Sequence, residues 1–321
     1  MESITLGRTE LEVSRICLGT WQFGGDWGEI DREEAIATVA RALELGINFF
    51  DTAQGYGWGA SEKLLAQALR GVPREEVVIA TKGGLRMDEG ELRRDASRAW
   101  LRKGVEESLR HLGTDYIDIY QVHWPDPNTP FAETAAALEE LVREGKVRHV
   151  GASNYDALQI AELERTRRLE TLQPPYHMLR REIERAVLPY CREHDIGVLV
   201  YGPLAHGLLS GRFTRDTHLC ADDWRAGSQL FSGADYQRNL LSVERLGELA
   251  AGLRITVAQL AIAWTLAHPA VHVAIVGARR PAHIEGAAPA AEVHLDEDAM
   301  ARVEEILAEA AVVGGPSPES V

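Results

Sequence analysis

The chain has little cysteine, a deficit of positive charge and no long unbroken apolar run. Three cysteines occur, Cys17, Cys191 and Cys220. The number is odd and none stands in a C-x-x-C pair. That argues against a disulfide framework or a zinc site and fits a reducing cytoplasm. Basic residues number 34 against 49 acidic ones, a formal net charge of −15. Such a chain repels phosphate backbones and anionic membrane surfaces, so neither a nucleic acid nor a membrane is expected as a partner. The most apolar stretch, 258–278, is interrupted by Gln259, His268, Pro269 and His272. It reads as a helix, a stop and a buried strand, not as a membrane span. Residues 1–5 lack the basic-then-apolar layout of a signal peptide. No H-x-H or H-E-x-x-H spacing suggests a metal, and no G-x-S-x-G elbow suggests a serine hydrolase.

What the chain does have is one repeated alternation along its 321 residues. Short apolar runs fall at 16–18, 47–50, 77–80, 117–122, 147–151, 170–172, 197–200 and 271–276. Most are apolar on both faces, as parallel strands buried between helices and a core must be. The segments between them carry helical periodicity, and Gly46, Gly113 and Gly145 stand where helices should stop. Eight such units predict a (β/α)8 TIM barrel, an α/β fold, as one domain over 1–321. Three parts lie outside the units. Residues 3–13 read as a β-hairpin capping the barrel floor. An insertion at 213–252 follows the seventh strand and ends in an extra helix near 236–251. A C-terminal helix begins at Asp296, and the tail from about 312 reads as disordered.

In such a barrel the residues just after each strand form the active-site face. Asp51, Lys82 and His123 follow the second, third and fourth runs, and Tyr56 lies in the loop after Asp51. Ser153 and Asn154 follow the fifth, Gln173 the sixth, Tyr201 the seventh and Gly277 the eighth. Taken singly, each has a commonplace role: a loop acid, a solvated charge, a packed histidine or a ring over the mouth. Together they are suited to proton transfer. A tyrosine titrates near pH 10 and is a weak acid unless a lysine ammonium stabilises its phenolate. A carboxylate would hold that lysine, and a neutral histidine would orient a carbonyl oxygen. Asp118 lies inside its strand, before the mouth, and reads as structural.

Several segments carry a resemblance. FDTAQGYGWGASE over 50–62 resembles the F-D-T-A-x-x-Y-G-x-G-x-S-E signature of the aldo-keto reductases. ATK over 80–82, VHWP over 122–125, GASN over 151–154 and YGPLAHGLLSG over 201–211 match in order, so the resemblance spans essentially the whole chain. The stretch from Gln173 to LPYCREH over 188–194 is most similar to bacterial members related to potassium-channel β subunits and bacterial stress proteins.

The resemblance implies a catalytic tetrad of Asp51, Tyr56, Lys82 and His123. It implies a nicotinamide whose carboxamide meets Ser153, Asn154 and Gln173, with Tyr201 stacked on the ring. Gly202, Pro203, Leu204, Gly211 and Gly277 would line the pyrophosphate. Trp21, Trp58 and Trp124 would wall the substrate pocket. A helix start at Arg279 and Arg280, with His283, can hold a phosphate, which favours NADPH with NADH left open. Where the family often has Arg or Gln followed by Glu-Asn, this chain has His283, Gly286 and Ala287. The hydroxyl usual after the stacking tyrosine is Gly202, and Tyr176-His177 replaces Tyr-Asn. The expected activity is reduction of a small-molecule carbonyl. A nicotinamide-sensing subunit of a partner protein and an NAD-linked polyol or sugar dehydrogenase are the alternatives. The sequence sets no oligomeric state.

Overall fold

A computed structural model describes residues 1–25, 27–219 and 223–314. The apolar runs form β1 (Ile16–Gly19), β2 (Phe49–Asp51), β3 (Val78–Gly83), β4 (Ile117–Val122), β5 (Val147–Ser153), β6 (Thr171–Gln173), β7 (Gly197–Tyr201) and β8 (Val273–Gly277). Each pairs in parallel with its neighbours, and β8 with β1, which closes the barrel. Side chains alternate between the two faces of each strand. Cys17, Phe49, Val78, Ala80, Ile119, Leu199, Val273 and Ile275 therefore meet inside the barrel. Their neighbours Ile16, Leu18, Phe50, Ile79, Val150 and Ala274 face the surrounding helices.

The helices are α1 (Arg32–Glu44), α2 (Ala60–Ala68), α3 (Arg98–Leu112), α4 (Phe131–Arg143), α5 (Ala157–Glu164), α6 (Val187–Glu193), α7 (Gly233–Gly252), α8 (Val257–Ala267), α9 (Pro281–Ala287) and α10 (Glu297–Leu307). Local chemistry sets several starts. The Asp31 carboxylate caps α1 and the Ser97 hydroxyl caps α3. Asp156 with Gln159, and Thr256 with Gln259, form capping boxes on α5 and α8. No single helix among the described residues is long and apolar enough to cross a membrane. The apolar 258–278 stretch divides into α8 and β8, as its polar interruptions suggest.

The N-terminal hairpin pairs Ser3–Thr5 with Glu12–Ser14. Its Leu6 and Val13 are fully buried against the interior strand residues, so it plugs the floor. Asp118 is structural: buried in β4, it accepts from Ile79 N at 2.9 Å and pairs with Arg74 and Arg148. Those two guanidiniums lie 4.2 and 3.9 Å from the centre of the Tyr116 ring.

Two expectations need amendment. A second hairpin, Leu85–Asp88 with Glu91–Arg94, follows β3 and was not foreseen; its turn is the Glu89-Gly90 pair, both at positive φ. The tail is tied down further than its composition implies, because Val313 N donates to Leu179 O at 2.7 Å. The rest of that disorder expectation, 315–321, lies outside the described residues, as does Cys220 in the insertion. The insertion does end in a helix, α7.

Candidate active site

Lys82 ends up inside the barrel because β3 alternates Val78, Ala80 and Lys82 inward. A lysine ammonium that is 1 % exposed must place its three donors on acceptors. Nζ donates to Asp51 Oδ1 at 2.6 Å, to Thr52 O at 2.9 Å and to Tyr56 OH at 3.1 Å. Asp51 comes from the end of β2, the adjacent strand. Its other oxygen accepts from Gln173 Nε2 at 2.9 Å, across the barrel from β6. Burial pushes the Asp51 carboxyl up, against the pull of the Lys82 ammonium and the Gln173 amide.

His123 follows β4 and is buried beside the phenol. The two ring centres are 5.7 Å apart and nearly perpendicular. Burial, with the Lys82 charge adding to it, holds the imidazole well below its usual titration range. It is therefore neutral, and its Nδ1 has no hydrogen-bond partner among the described residues. All four sequence-predicted tetrad residues meet at one point. The arrangement can place an acid against an oxygen atom, with an ammonium behind the acid to stabilise the anion left by proton donation.

The neighbouring candidates form a chain of hydrogen bonds. Ser153 Oγ donates to Gln173 O at 2.8 Å. Asn154 Nδ2 donates to His123 O and to Ser153 Oγ, each at 3.0 Å. Tyr201 OH donates to Asn154 Oδ1 at 2.8 Å. The turn after β7 holds Gly202, Pro203 and Leu204, and Gly211 closes it.

Gly277 ends β8, and a Cβ there would fall 2.3 Å from Gln22 Nε2. The Gln22 amide therefore lies directly over this strand end, its Oε1 buried without a partner among the described residues. Gln22 sits one residue after Trp21 in the loop following β1, where no motif marks it out.

At the helix start after β8 the two arginines separate. Arg279 turns into the loop after β1, donating to Trp27 O at 3.1 Å and to Glu29 O at 2.5 Å. Arg280 is exposed and, among the described residues, pairs with Glu34 at 3.1 Å. Burial, with the charges of Arg212, Arg280 and Arg279, lowers the titration of His283. Arg212 is a further missed member of this cationic group.

The tryptophans differ in setting. Trp21 lies 6.2 Å from the Tyr56 ring and Trp124 is buried directly after His123, with the Arg94 guanidinium 5.0 Å from its ring. Trp58 is 40 % exposed and is the least enclosed of the three. Trp27, Trp224 and His206 were not foreseen. Trp27 meets Trp21 at 5.0 Å and Trp224 at 5.4 Å, and Trp224 meets His206 at 5.0 Å. This cluster joins the loop after β1 to the insertion after β7. Its trace in the sequence is two tryptophans in one loop, Trp21 and Trp27, and a third, Trp224, in another.

The buried histidines predict how stability depends on pH. His123 and His177 are both held well below 6.5, chiefly by burial. Below that value the unfolded chain takes up a proton at each while the native state does not. Stability should therefore fall with pH from about 6.5 downward, by about 1.4 kcal/mol per pH unit for each histidine, or about 3 kcal/mol for both. Above 6.5 the two contribute no slope. Urea unfolding at pH 8, 6.5 and 5.5 measures this, and equal stability at the two lower values would refute it. His177→Gln should remove about half of their joint slope.

A profile described as the aldo/keto reductase family matches residues 15–308. An aldo-keto reductase of Bacillus subtilis is 41 % identical over 288 residues, covering 89 % of this chain and 87 % of that protein. The NADH-specific methylglyoxal reductase of Escherichia coli is 38 % identical over 326 residues, covering 97 % and 99 %. The solved glycerol dehydrogenase of Gluconobacter oxydans superposes with a TM-score of 0.90 at 36 % identity, covering 98 % of each chain.

Proposed function

The chain belongs to the aldo/keto reductase family, and from that membership we propose a carbonyl reductase that takes its hydride from NADPH and its proton from Tyr56. The family uses nicotinamide cofactors, and its similar members include oxidoreductases of small carbonyl and hydroxyl compounds. One observation carries the finer reading: a single buried ammonium touches both the Asp51 carboxylate and the Tyr56 hydroxyl.

The residues present suit the cofactor. Ser153, Asn154 and Gln173 bring hydroxyl and amide groups together, matched to a carboxamide, and Tyr201 offers a ring face beside them. Gly202, Pro203, Leu204, Gly211 and Gly277 would follow the pyrophosphate. Gln22 Oε1, without a hydrogen-bond partner among the described residues, would offer a polar contact beside Gly277. Arg280 and His283 would face the 2′-phosphate, and Arg279 would brace the loop beside it. When bound, the dihydronicotinamide supplies hydride to the carbonyl carbon.

The chain's own residues handle the oxygen. A hydroxyl can accept from Lys82 and donate its own proton at the same time. Tyr56 donates that proton as charge develops on the carbonyl oxygen, and Lys82 stabilises the phenolate that remains. Asp51 keeps the ammonium in place. Neutral His123 orients the oxygen by donating a hydrogen bond. Trp21, Trp124 and, at the rim, Trp58 would enclose the rest of the substrate and exclude water.

The deciding experiment is a panel of aldehydes, ketones and alcohols, including 4-nitrobenzaldehyde, assayed with both cofactors. Absence of turnover across the panel would sink the proposal. A separate expectation concerns the phosphate. Arg280→Ala should weaken NADPH about tenfold and leave NADH unchanged, read by fluorescence titration. Equal loss for both cofactors would remove Arg280 from the phosphate site.

NADH is the second reading. It is favoured by the similarity to an NADH-specific enzyme and by Arg279 being committed to the carbonyls of Trp27 and Glu29. Tighter binding of NADH than NADPH in the same titration would decide for it.

A further inference from the structure

Glu62 is a fully buried carboxylate that plays no part in the proton transfer. It lies in the first turn of α2, directly after the loop that carries Tyr56. A carboxylate buried without partners is costly, and Glu62 has two. Oε1 accepts from Thr81 Oγ1 at 2.8 Å, and Oε2 lies 2.9 Å from His111 Nδ1. Thr81 immediately precedes Lys82 on β3. His111 stands in the last turn of α3. One carboxylate therefore joins the helix after Tyr56, the strand bearing Lys82 and the end of a third element.

The same imidazole presses on the Tyr56 loop directly. Gly59 is the N-cap of α2, in the left-handed region at φ 91°. A Cβ at Gly59 would lie 2.2 Å from His111 Cε1 and 2.3 Å from Nδ1. The ring occupies the space that any other residue at position 59 would need. The loop itself is tightly closed: Tyr56 N donates to Ala53 O at 3.1 Å, Gly59 N to Gln54 O at 2.9 Å and Ser61 N to Tyr56 O at 3.2 Å. Movement at Gly59 or in the first turn of α2 is passed to the Tyr56 backbone through these bonds.

We propose that His111 is a positioning residue for Tyr56, fixing the loop through Glu62 and Gly59 so that the phenol stays in register with Lys82. The inference rests on Tyr56 being the general acid. His111 acts through the backbone and Glu62, not on the reacting atoms. Losing it frees Glu62 Oε2 and opens space beside Gly59, and a small displacement of a catalytic group costs rate out of proportion to its size.

The test compares His111→Ala, which removes ring and donor, with His111→Asn, which keeps an N–H donor close to the place of Nδ1. In the alanine variant kcat should fall about tenfold or more, with KM for the carbonyl and Kd for NADPH unchanged. The asparagine variant should recover most of kcat. Amide hydrogen exchange over 53–61, followed by mass spectrometry on the full chain, should quicken in the alanine variant and return toward wild type in the asparagine variant. The proposal is overturned if the alanine variant keeps its kcat, if asparagine rescues nothing, or if exchange over 53–61 does not change. If the wild-type chain reduces no carbonyl, the general-acid reading fails by itself, and the exchange measurement still decides whether His111 fixes the loop.

Discussion

Tyr56→Phe should lower kcat for carbonyl reduction by about a hundredfold to ten-thousandfold, the range expected when a positioned general acid is lost. Its effect on cofactor affinity should be small. The substitution removes one oxygen and leaves the ring, and the ring is what packs. It meets His123 edge-on at 5.7 Å and lies under the Lys82 ammonium at 4.8 Å. The pocket should keep its shape, so the deficit belongs to the proton. Neutral His123 is the nearest substitute, but it is a poor acid where burial and the Lys82 charge oppose its protonation. Stopped-flow measurement of NADPH oxidation in a single turnover reads the step directly. Wild-type turnover in the phenylalanine variant would mean that the acid is another group.

Lys82→Met should be nearly as damaging to turnover and far more damaging to stability. Methionine matches the lysine stem in length but carries no charge. Asp51, 2 % exposed, would then be a buried carboxylate without its counter-ion. Breaking a buried pair from one side costs about 3–5 kcal/mol. Chemical denaturation should show a loss of that order. Adding Asp51→Asn to the methionine variant removes the orphaned charge and should restore most of the stability while restoring no turnover. That split separates two proposed functions of the pair, holding the barrel mouth together and stabilising the phenolate left when Tyr56 gives up its proton. A methionine variant as stable as wild type, or a double variant that regains activity, would contradict the account.

The barrel was legible in the sequence because its strands are buried on both faces and leave apolar runs, three of which lead directly into a polar residue at the strand end. Asp51, Lys82 and His123 could be placed at the mouth for that reason alone. Thr171–Gln173 was the weakest of these strands on paper. Its short run begins at a charged residue, Glu170, which the structure uses to accept from Val150 N at 2.9 Å. What could not be read were contacts between loops distant in sequence. Trp27 and Trp224 are joined only through the folded paths of the loop after β1 and the insertion after β7. Arg279 and Arg280 looked equivalent as neighbours, yet one braces a loop and the other faces solvent. Glu62 and His111 were invisible as a pair because they lie on different helices. Their pairing depends on how α2 packs against α3.

The hairpin that plugs the barrel has a consequence for traffic. With Leu6 and Val13 seated among the interior side chains, the barrel is a well and not a pipe. Lys82 and Asp51 are therefore approached from the strand ends, where Tyr56 and His123 stand, and not from the floor. A ligand seated at the mouth should then slow exchange of the Lys82 ammonium protons with solvent, and that exchange rate would serve as a clock for opening of the mouth.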